Sequence, residues 1–407
     1  MAVKFSKIDD AIKDFRRGKM VVIVDDAARE NEGDLVCAAS KISPAKINFM
    51  AKHGRGLICI AMEENALARL NLNLLSRSFN AANPREAAFT LSCDASKGIS
   101  TGISAADRAK TVMSLVSPSA KPSDIVSPGH IFPLQAQKGG TLVRAGHTEA
   151  AVDMANLAGL IPSGVICEIM NDDGTMARLP DLVKFSALHG LRLISLAQII
   201  EKRRQTEKLV ERVSAASLPT KFGMFTVVSY RSKISQEDFE SRTHVALVKG
   251  AVRGKKKVLV RVHSQCLTGD VFHSLRCDCG IQLEEAMKKI EKEKLGVLLY
   301  MRQEGRGIGL ENKIKAYSLQ DGGMDTVEAN EALGFEADLR DYGIGAQILA
   351  DIGLTTIRLM TNNPQKVKGL SGFGLSVAER VPLKVEGGSA HCRHYLATKK
   401  AKLGHLL

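Results

Sequence analysis

The chain of 407 residues contains no tryptophan, and 13 phenylalanines and 5 tyrosines are its whole aromatic complement. A protein that grips single-stranded nucleic acid needs rings on which bases can stack, so this scarcity argues against that class. No stretch approaches the ~18 consecutive apolar residues of a membrane span. The opening "MAVKFSKIDDAIKDFRRGKM" has no apolar h-region of a secretory signal. C-x2-C pairs are missing too, which removes the usual four-ligand structural zinc motif. Eight unevenly spaced cysteines fit a reducing compartment better than a disulfide framework, and the expected location is cytoplasmic.

What is present is a basic globular chain. Its 57 Lys+Arg against 44 Asp+Glu leave +13, and the hydrophobic content of 44% is ordinary. Such charge suits anionic ligands, from phosphate metabolites to nucleic acid, without choosing among them. The length predicts more than one core. "VVIV" (21–24), "LICI" (57–60) and "VICEIM" (165–170) read as buried strands. Helical patterns lie between them at 43–54, with Ser43 as N-cap and Gly54 as stop, and at 148–160, with Thr148 as cap. Charge density rises over 201–218, which predicts a helical connector. Beyond it strands are expected at 255–264, 295–303 and 355–363, with helices from 281, 308, 343 and 364. The fold class is therefore α/β (α+β layered), with two domains of similar size, 1–204 and 205–407, each a mixed sheet packed with helices.

"CLTGDVFHSLRCDC" (266–279) concentrates Cys266, Cys277 and Cys279. Three thiols with an open fourth position suit a catalytic zinc, whereas His263 or His273 as fourth ligand would close a structural site. The competing reading is that three small apolar residues simply cluster. "RQEGRGIGLENK" (302–313) is a glycine-rich turn entering a helix, where backbone N–H groups can meet an anion. "EADLRDYG" (336–343) sets Asp338 and Arg340 two apart, and "TNNPQKVKGL" (361–370) places Lys366 and Lys368 at a strand end.

These segments, with "DTVEANEALGF" and "ADLRDYGIGAQIL", resemble GTP cyclohydrolase II across residues 208–407. The resemblance implies opening of the GTP imidazole ring, yielding formate, pyrophosphate and 2,5-diamino-6-ribosylamino-4(3H)-pyrimidinone 5′-phosphate. It implies zinc on Cys266, Cys277 and Cys279, Asp338 as proton acceptor, Arg340 at the α-phosphate and Tyr317 as a catalytic residue. GTP contacts would come from Arg261, Val262, His263, Ser264, Gln265, Gln282, Glu304, Gly305, Arg306, Thr326, Thr361 and Lys366, with Mg²⁺ on the pyrophosphate. A guanidinium is a poor nucleophile at neutral pH, so Arg340 is better suited to stabilising phosphoryl charge. Gln265 departs from the family's H-S-E-C, keeping the size and losing the carboxylate.

In the first half, "VDDAARENEGDL" (24–35) crowds Asp25, Asp26, Glu30, Glu32 and Asp34 after a strand. Such carboxylates repel unless solvated or bridged by a cation, and hard oxygen ligands suit Mg²⁺. "STGISAADRAK" (100–110) is a turn entering a helix, where Thr101, Ser104, Asp107 and Arg108 would hold a phosphate or the loop. With "VRAGHTEA" (143–150) and "GVICEIMNDDGTMA" these motifs resemble 3,4-dihydroxy-2-butanone 4-phosphate synthase over residues 4–200. The implied reaction converts ribulose 5-phosphate into that product and formate. Glu30 and His147 would hold Mg²⁺ or Mn²⁺. Arg29, Glu30, Asp34, Arg144, Ala145, Gly146, His147, Thr148 and Glu168 would contact substrate, with Cys59 and Glu168 catalytic. Ala27 and Ala28 replace two acids of the family loop, and 81–90 is eroded.

The expectation is thus a bifunctional enzyme acting on GTP and ribulose 5-phosphate, a homodimer by the habit of both families, without nucleic-acid or membrane partners. The alternatives are a fusion in which only the cyclohydrolase works and, from another class, a basic zinc-containing nucleic-acid module.

Overall fold

The computed structural model describes residues 5–26, 29–75, 87–234, 243–335, 342–363, 366 and 375–383. Two compact units divide the chain, Met1–Thr206 and Glu207–Leu407. Among the described residues no helix is long and apolar enough to cross a membrane.

The first unit is built on strands β1 (Val21–Val24), β2 (Gly33–Ala38), β3 (Cys59–Met62), β4 (Ala88–Phe89), β5 (Cys93–Ala95), β6 (Ile125–Gln135), β7 (Ser163–Glu168) and β8 (Arg192–Ser195). They run in the order β4-β6-β3-β7-β2-β1-β8, with β5 paired to β6. The β1–β8 and β3–β6 pairs are parallel, and β1–β2, β2–β7 and β3–β7 antiparallel. "VVIV" is apolar at every position because both faces of the sheet are covered. Val22 and Val24 pack with Leu35, Ile60 and Val165 against helices α2 (Pro44–Phe49), α3 (Glu64–Arg69), α4 (Ala105–Val116) and α6 (Leu179–His189). Val21 and Ile23 face the other way, with Val36, Cys59 and Ile166, against α1 (Ile8–Arg16), α5 (His147–Leu157) and α7 (Leu196–Thr206). A period of two that alternates between two dry layers leaves no polar stripe in the sequence.

The second unit orders its strands β15-β14-β12-β13-β11-β10-β9. These are β9 (Val210–Thr220), β10 (Gly223–Ser232), β11 (Thr243–Lys249), β12 (Val258–Ser264), β13 (Gly296–Met301), β14 (Thr356–Met360) and β15 (Ser376–Val381). The first three form an antiparallel meander, while β12 lies parallel to both β13 and β14. Leu259 of β12 packs with Phe225, Leu298 and Met360 under Ala286, Met287 and Ile290 of α9 (Cys279–Glu293). Helices α8 (Leu267–Asp270), α10 (Gly309–Asp321), α11 (Thr326–Ala332) and α12 (Gly343–Ile352) complete the described part. Ligands of mixed sheets collect at the carboxyl ends of parallel strands, and β12 and β13 end at Ser264 and Met301.

Several local expectations change. The 201–218 segment is helical only to Thr206 and becomes β9 at Val210. Thr148 is the second residue of α5, not its cap, because Gly146 holds the extended N-cap position. Ser43 does occupy the N-cap of α2, but its hydroxyl makes no capping bond. The chain then passes through a π turn, Met50–Gly54, and the left-handed stop is Arg55 rather than Gly54. The helix expected from 364 falls almost wholly outside the described residues.

Candidate functional site

At the end of β12 the chain turns through Gln265 into Cys266, which precedes the one-turn helix α8, and Cys279 opens α9. The Sγ atoms of Cys266, Cys277 and Cys279 lie within 4.8 Å of one another. Gly269 makes that closeness feasible: a Cβ there would stand 2.8 Å from Cys277 Sγ and 3.1 Å from Cys266 Sγ. Hydrogen bonds with Cys277 and Cys279 pull the Cys266 thiol far below its usual range, while the contact with Cys266 pushes Cys277 up to about 11. Among the described residues no histidine joins the cluster. His263, considered above as a fourth ligand, instead turns Nε2 toward Asp270 at 3.0 Å and stacks on Tyr300. His273 is exposed. Three soft donors, Cys266 and Cys277 buried and Cys279 half-buried, fit zinc with one exchangeable position.

The thiols share a cavity with Arg261, His263, Ser264, Gln265, Gln282, Glu304, Gly305, Arg306, Thr326, Thr361 and Lys366. Alternation along β12 explains why Val262 does not line it; its carbonyl instead accepts Lys366 Nζ at 3.0 Å. Arg261 reaches from the Met360 carbonyl (3.0 Å) to Gln282 Oε1 (2.5 Å), so strand β14 and helix α9 aim it together. Gly305 and Arg306 both adopt left-handed backbone, φ 61° and 63°, in the turn before α10. Arg261, Arg276, Arg306, Lys313 and Lys366 all face this one space, a charge suited to a polyphosphate.

Tyr317 lines the same cavity, with its hydroxyl 3.2 Å from Thr268 Oγ1. Burial raises its phenol above the usual value. The Arg276 guanidinium lies 4.9 Å from its ring centre. Sequence reasoning missed Lys313, Thr268, Arg276 and Asn330. A signal existed for the first, since Lys313, Ala316, Tyr317 and Gln320 follow the spacing of one helix face. Asp338 and Arg340 lie outside the described residues, as do Ala27, Ala28, Lys368, Cys392 and residues 81–86 of the eroded segment.

In the first unit, antiparallel register puts Ile23, Asp34 and Glu168 in one row across β1, β2 and β7. Residues in such a row share a face, so Asp34 and Glu168 stand side by side, on the face that carries Cys59 and is covered by α5. His147 at the start of α5 directs Nε2 to the Ile23 carbonyl at 3.2 Å. A donated Nε2–H leaves Nδ1 unprotonated, the form that binds a cation. Burial lowers the His147 pKa and so favours that neutral ring. Asp25, Glu30 and His147 bring ligand atoms within 4.8 Å of one another. Asp25 was named above only as part of the acidic loop, yet it organises it. Its carboxylate accepts the amides of Glu30 (3.1 Å) and Glu32 (2.8 Å) and the Arg29 guanidinium (2.9 Å).

Burial first, then the neighbouring Glu168 and Glu30 charges, raise the Asp34 carboxyl well above its ordinary range. Glu168 is fixed by the Leu57 amide at 2.8 Å. Cys59 is buried and its thiol is likewise raised, by burial and then Glu168, so it is a protonated group rather than a thiolate. Arg144 is held by Glu149 at 2.6 Å. Ala145, Gly146 and Thr148 form the backbone at the mouth of α5. In the 100–110 turn, Asp107 accepts the Ser100 hydroxyl (2.6 Å) and the amides of Ser100 and Gly102, while Ser104 caps α4. These groups hold the loop.

Residues 9–202 match the 3,4-dihydroxy-2-butanone 4-phosphate synthase family and residues 211–382 the GTP cyclohydrolase II family. The riboflavin biosynthesis protein RibBA of Aquifex aeolicus is 55% identical over 406 residues, covering 99% of this chain and 98% of its own. That of Endomicrobium trichonymphae is 52% identical over 404 residues, with the same coverages. The chain belongs to the bifunctional riboflavin biosynthesis family. A solved relative is RibBX, a two-domain 3,4-dihydroxy-2-butanone 4-phosphate synthase from A. baumannii. It is 37% identical with a TM-score of 0.69, covering 92% of this chain and 99% of that one. Each matched range of this riboflavin biosynthesis chain contains one of the two clusters, the Asp25–Glu30–His147 group or the three thiols. The nucleic-acid reading is set aside.

Proposed function

We propose that residues 1–204 convert ribulose 5-phosphate to 3,4-dihydroxy-2-butanone 4-phosphate and formate, and residues 205–407 hydrolyse GTP to the pyrimidinone phosphate, formate and pyrophosphate. Family membership supports both activities. The observation that carries the second assignment is the meeting of three thiols and five cationic side chains in one cavity.

In the second site Cys266, Cys277 and Cys279 would hold zinc, which supplies Lewis acidity to a water facing C8 of the base. Arg306, Arg261 and Lys366 bind the triphosphate, with Mg²⁺ as its counter-ion. Gln282 and Glu304 orient the nucleotide, and Tyr317 places its hydroxyl beside the thiols. Asp338 accepts the proton and Arg340 steadies phosphoryl charge. Gln265, where the family has glutamate, donates its backbone N–H to the Met301 carbonyl at 2.8 Å, so the turn into Cys266 does not depend on the carboxylate.

In the first site Glu30 and His147, joined by Asp25, would hold Mg²⁺ or Mn²⁺, which offsets the negative charge of an enediolate. Asp34 and Glu168 take up and return protons, burial favouring the protonated form of the Asp34 carboxyl. Cys59 presents a neutral thiol to the substrate, and Arg29 and Arg144 meet its phosphate or hydroxyls. The working assembly is a homodimer, and its location the cytoplasm.

Formate release decides between this reading and a single-activity fusion. Purified protein with Zn²⁺ and Mg²⁺ should release formate from GTP and, in a separate reaction, from ribulose 5-phosphate. Formate from one substrate alone would refute the assignment for the silent unit.

A further inference from the structure

Lys313 lies one helical turn before Tyr317 on α10 and is buried. Its ammonium meets Cys266 Sγ at 3.2 Å, Thr268 Oγ1 at 2.9 Å and Glu304 Oε1 at 2.7 Å. An ammonium has three N–H donors, so three acceptors in three directions fix it fully. Glu304 is fixed in turn, because its other oxygen accepts the Leu267 amide at 2.7 Å. Leu267 follows Cys266 directly, and the Cys266 amide itself donates to Asp270 at 3.0 Å. The side chain and backbone of this one cysteine are therefore held from both sides.

Charge explains why a lysine stands there. Three thiolates around a dication leave one net negative charge, inside a cavity that also has to admit a nucleotide polyphosphate. Low dielectric makes that uncompensated charge costly. A buried ammonium shared between that sulfur and Glu304 offsets part of it. An N–H donor on a thiolate also withdraws electron density from the sulfur, so the bound metal keeps more of its Lewis acidity.

We propose that Lys313 is a positioning residue of the metal centre, holding the Cys266 sulfur in its ligating position and tuning the metal through that sulfur. This rests on the three thiols being metal ligands, as argued above. A lysine that served only as the ion-pair partner of Glu304 would leave metal affinity and metal spectroscopy untouched.

The test uses the full chain with Lys313→Met and Lys313→Arg. Zinc affinity is measured by competition with a chromophoric chelator, and the cobalt-substituted proteins by absorption. Ribulose 5-phosphate turnover controls for damage to the first unit. Lys313→Met should bind zinc about 10- to 100-fold more weakly. Its sulfur-to-cobalt charge-transfer band should move to longer wavelength, since the sulfur loses its N–H partner. Lys313→Arg should recover most of the affinity. Wild-type zinc affinity with an unshifted band in Lys313→Met would overturn the inference while leaving the zinc assignment intact. A wild-type chain that binds no zinc would overturn both. If Lys313→Met does not fold, Lys313→Gln replaces it under the same criteria.

Discussion

His147 Nδ1 lies 3.9 Å from a carboxylate oxygen of Asp34, and both side chains are buried. A neutral ring beside a carboxyl that holds its proton tightly is a poised pair, completed by a cation. Glu30→Ala or His147→Ala should therefore lower ribulose 5-phosphate turnover by ~100-fold or more, because each removes a ligand of the cation that offsets enediolate charge. GTP turnover should be unchanged, which a formate assay on each substrate would check. Loss of both activities would point to misfolding or to coupling between the units.

Asp34 also predicts a stability effect. Its folded pKa is raised by burial and by Glu168, so the folded state binds the proton more tightly than the unfolded one. Such a group contributes stability at low pH and loses it as pH climbs from the ordinary carboxyl value near ~3.9 through the folded value. Without added magnesium, Asp34→Asn should melt above the wild type by about 2–4 °C per kcal/mol gained. The gap should be wider at pH 8 than at pH 5 in thermal unfolding. An inactive variant that is less stable at pH 8 would contradict this.

Removal of a single thiol separates the two units. Cys277→Ser should lower zinc content and GTP turnover together and spare ribulose 5-phosphate turnover. Metal analysis alongside the two assays reads this directly. Full zinc occupancy with undiminished GTP turnover would show that the cysteine cluster is packing alone.

Asp107 gives the opposite pH signature. The Ser100 hydroxyl, then the Ser100 amide, hold its carboxyl below the usual range. A depressed carboxyl stabilises above the unfolded pKa and loses that contribution as pH falls through the folded value. The stability difference between wild type and Asp107→Asn should therefore be full at pH 7 and shrink below about pH 4. Urea titrations at both pH values would measure it.

The layered fold was legible because apolar runs such as "VVIV" reflect a sheet dry on both faces. Strand β9 was hidden because most of Val210–Thr220 is exposed, so neither an apolar run nor an alternation marks it. The thiols could be found from spacing, since Cys277 and Cys279 are near neighbours in the chain. The row of Ile23, Asp34 and Glu168 could not, because register between distant segments sets it and no local pattern records it. Lys313 fell between these cases. Its position on the Tyr317 face was visible, while its contact with Cys266 depends on how α10 docks.

The left-handed backbone of Arg306 has a wider meaning. A side chain with a Cβ gives up on the order of 1 kcal/mol in that conformation, which glycine at the same place would recover. The chain instead carries a guanidinium there, facing the nucleotide cavity. Selection for heat tolerance alone would drift toward glycine at 306, whereas selection for growth without a vitamin supply would hold the arginine. Position 306 thus marks where endurance and usefulness pull the sequence in opposite directions.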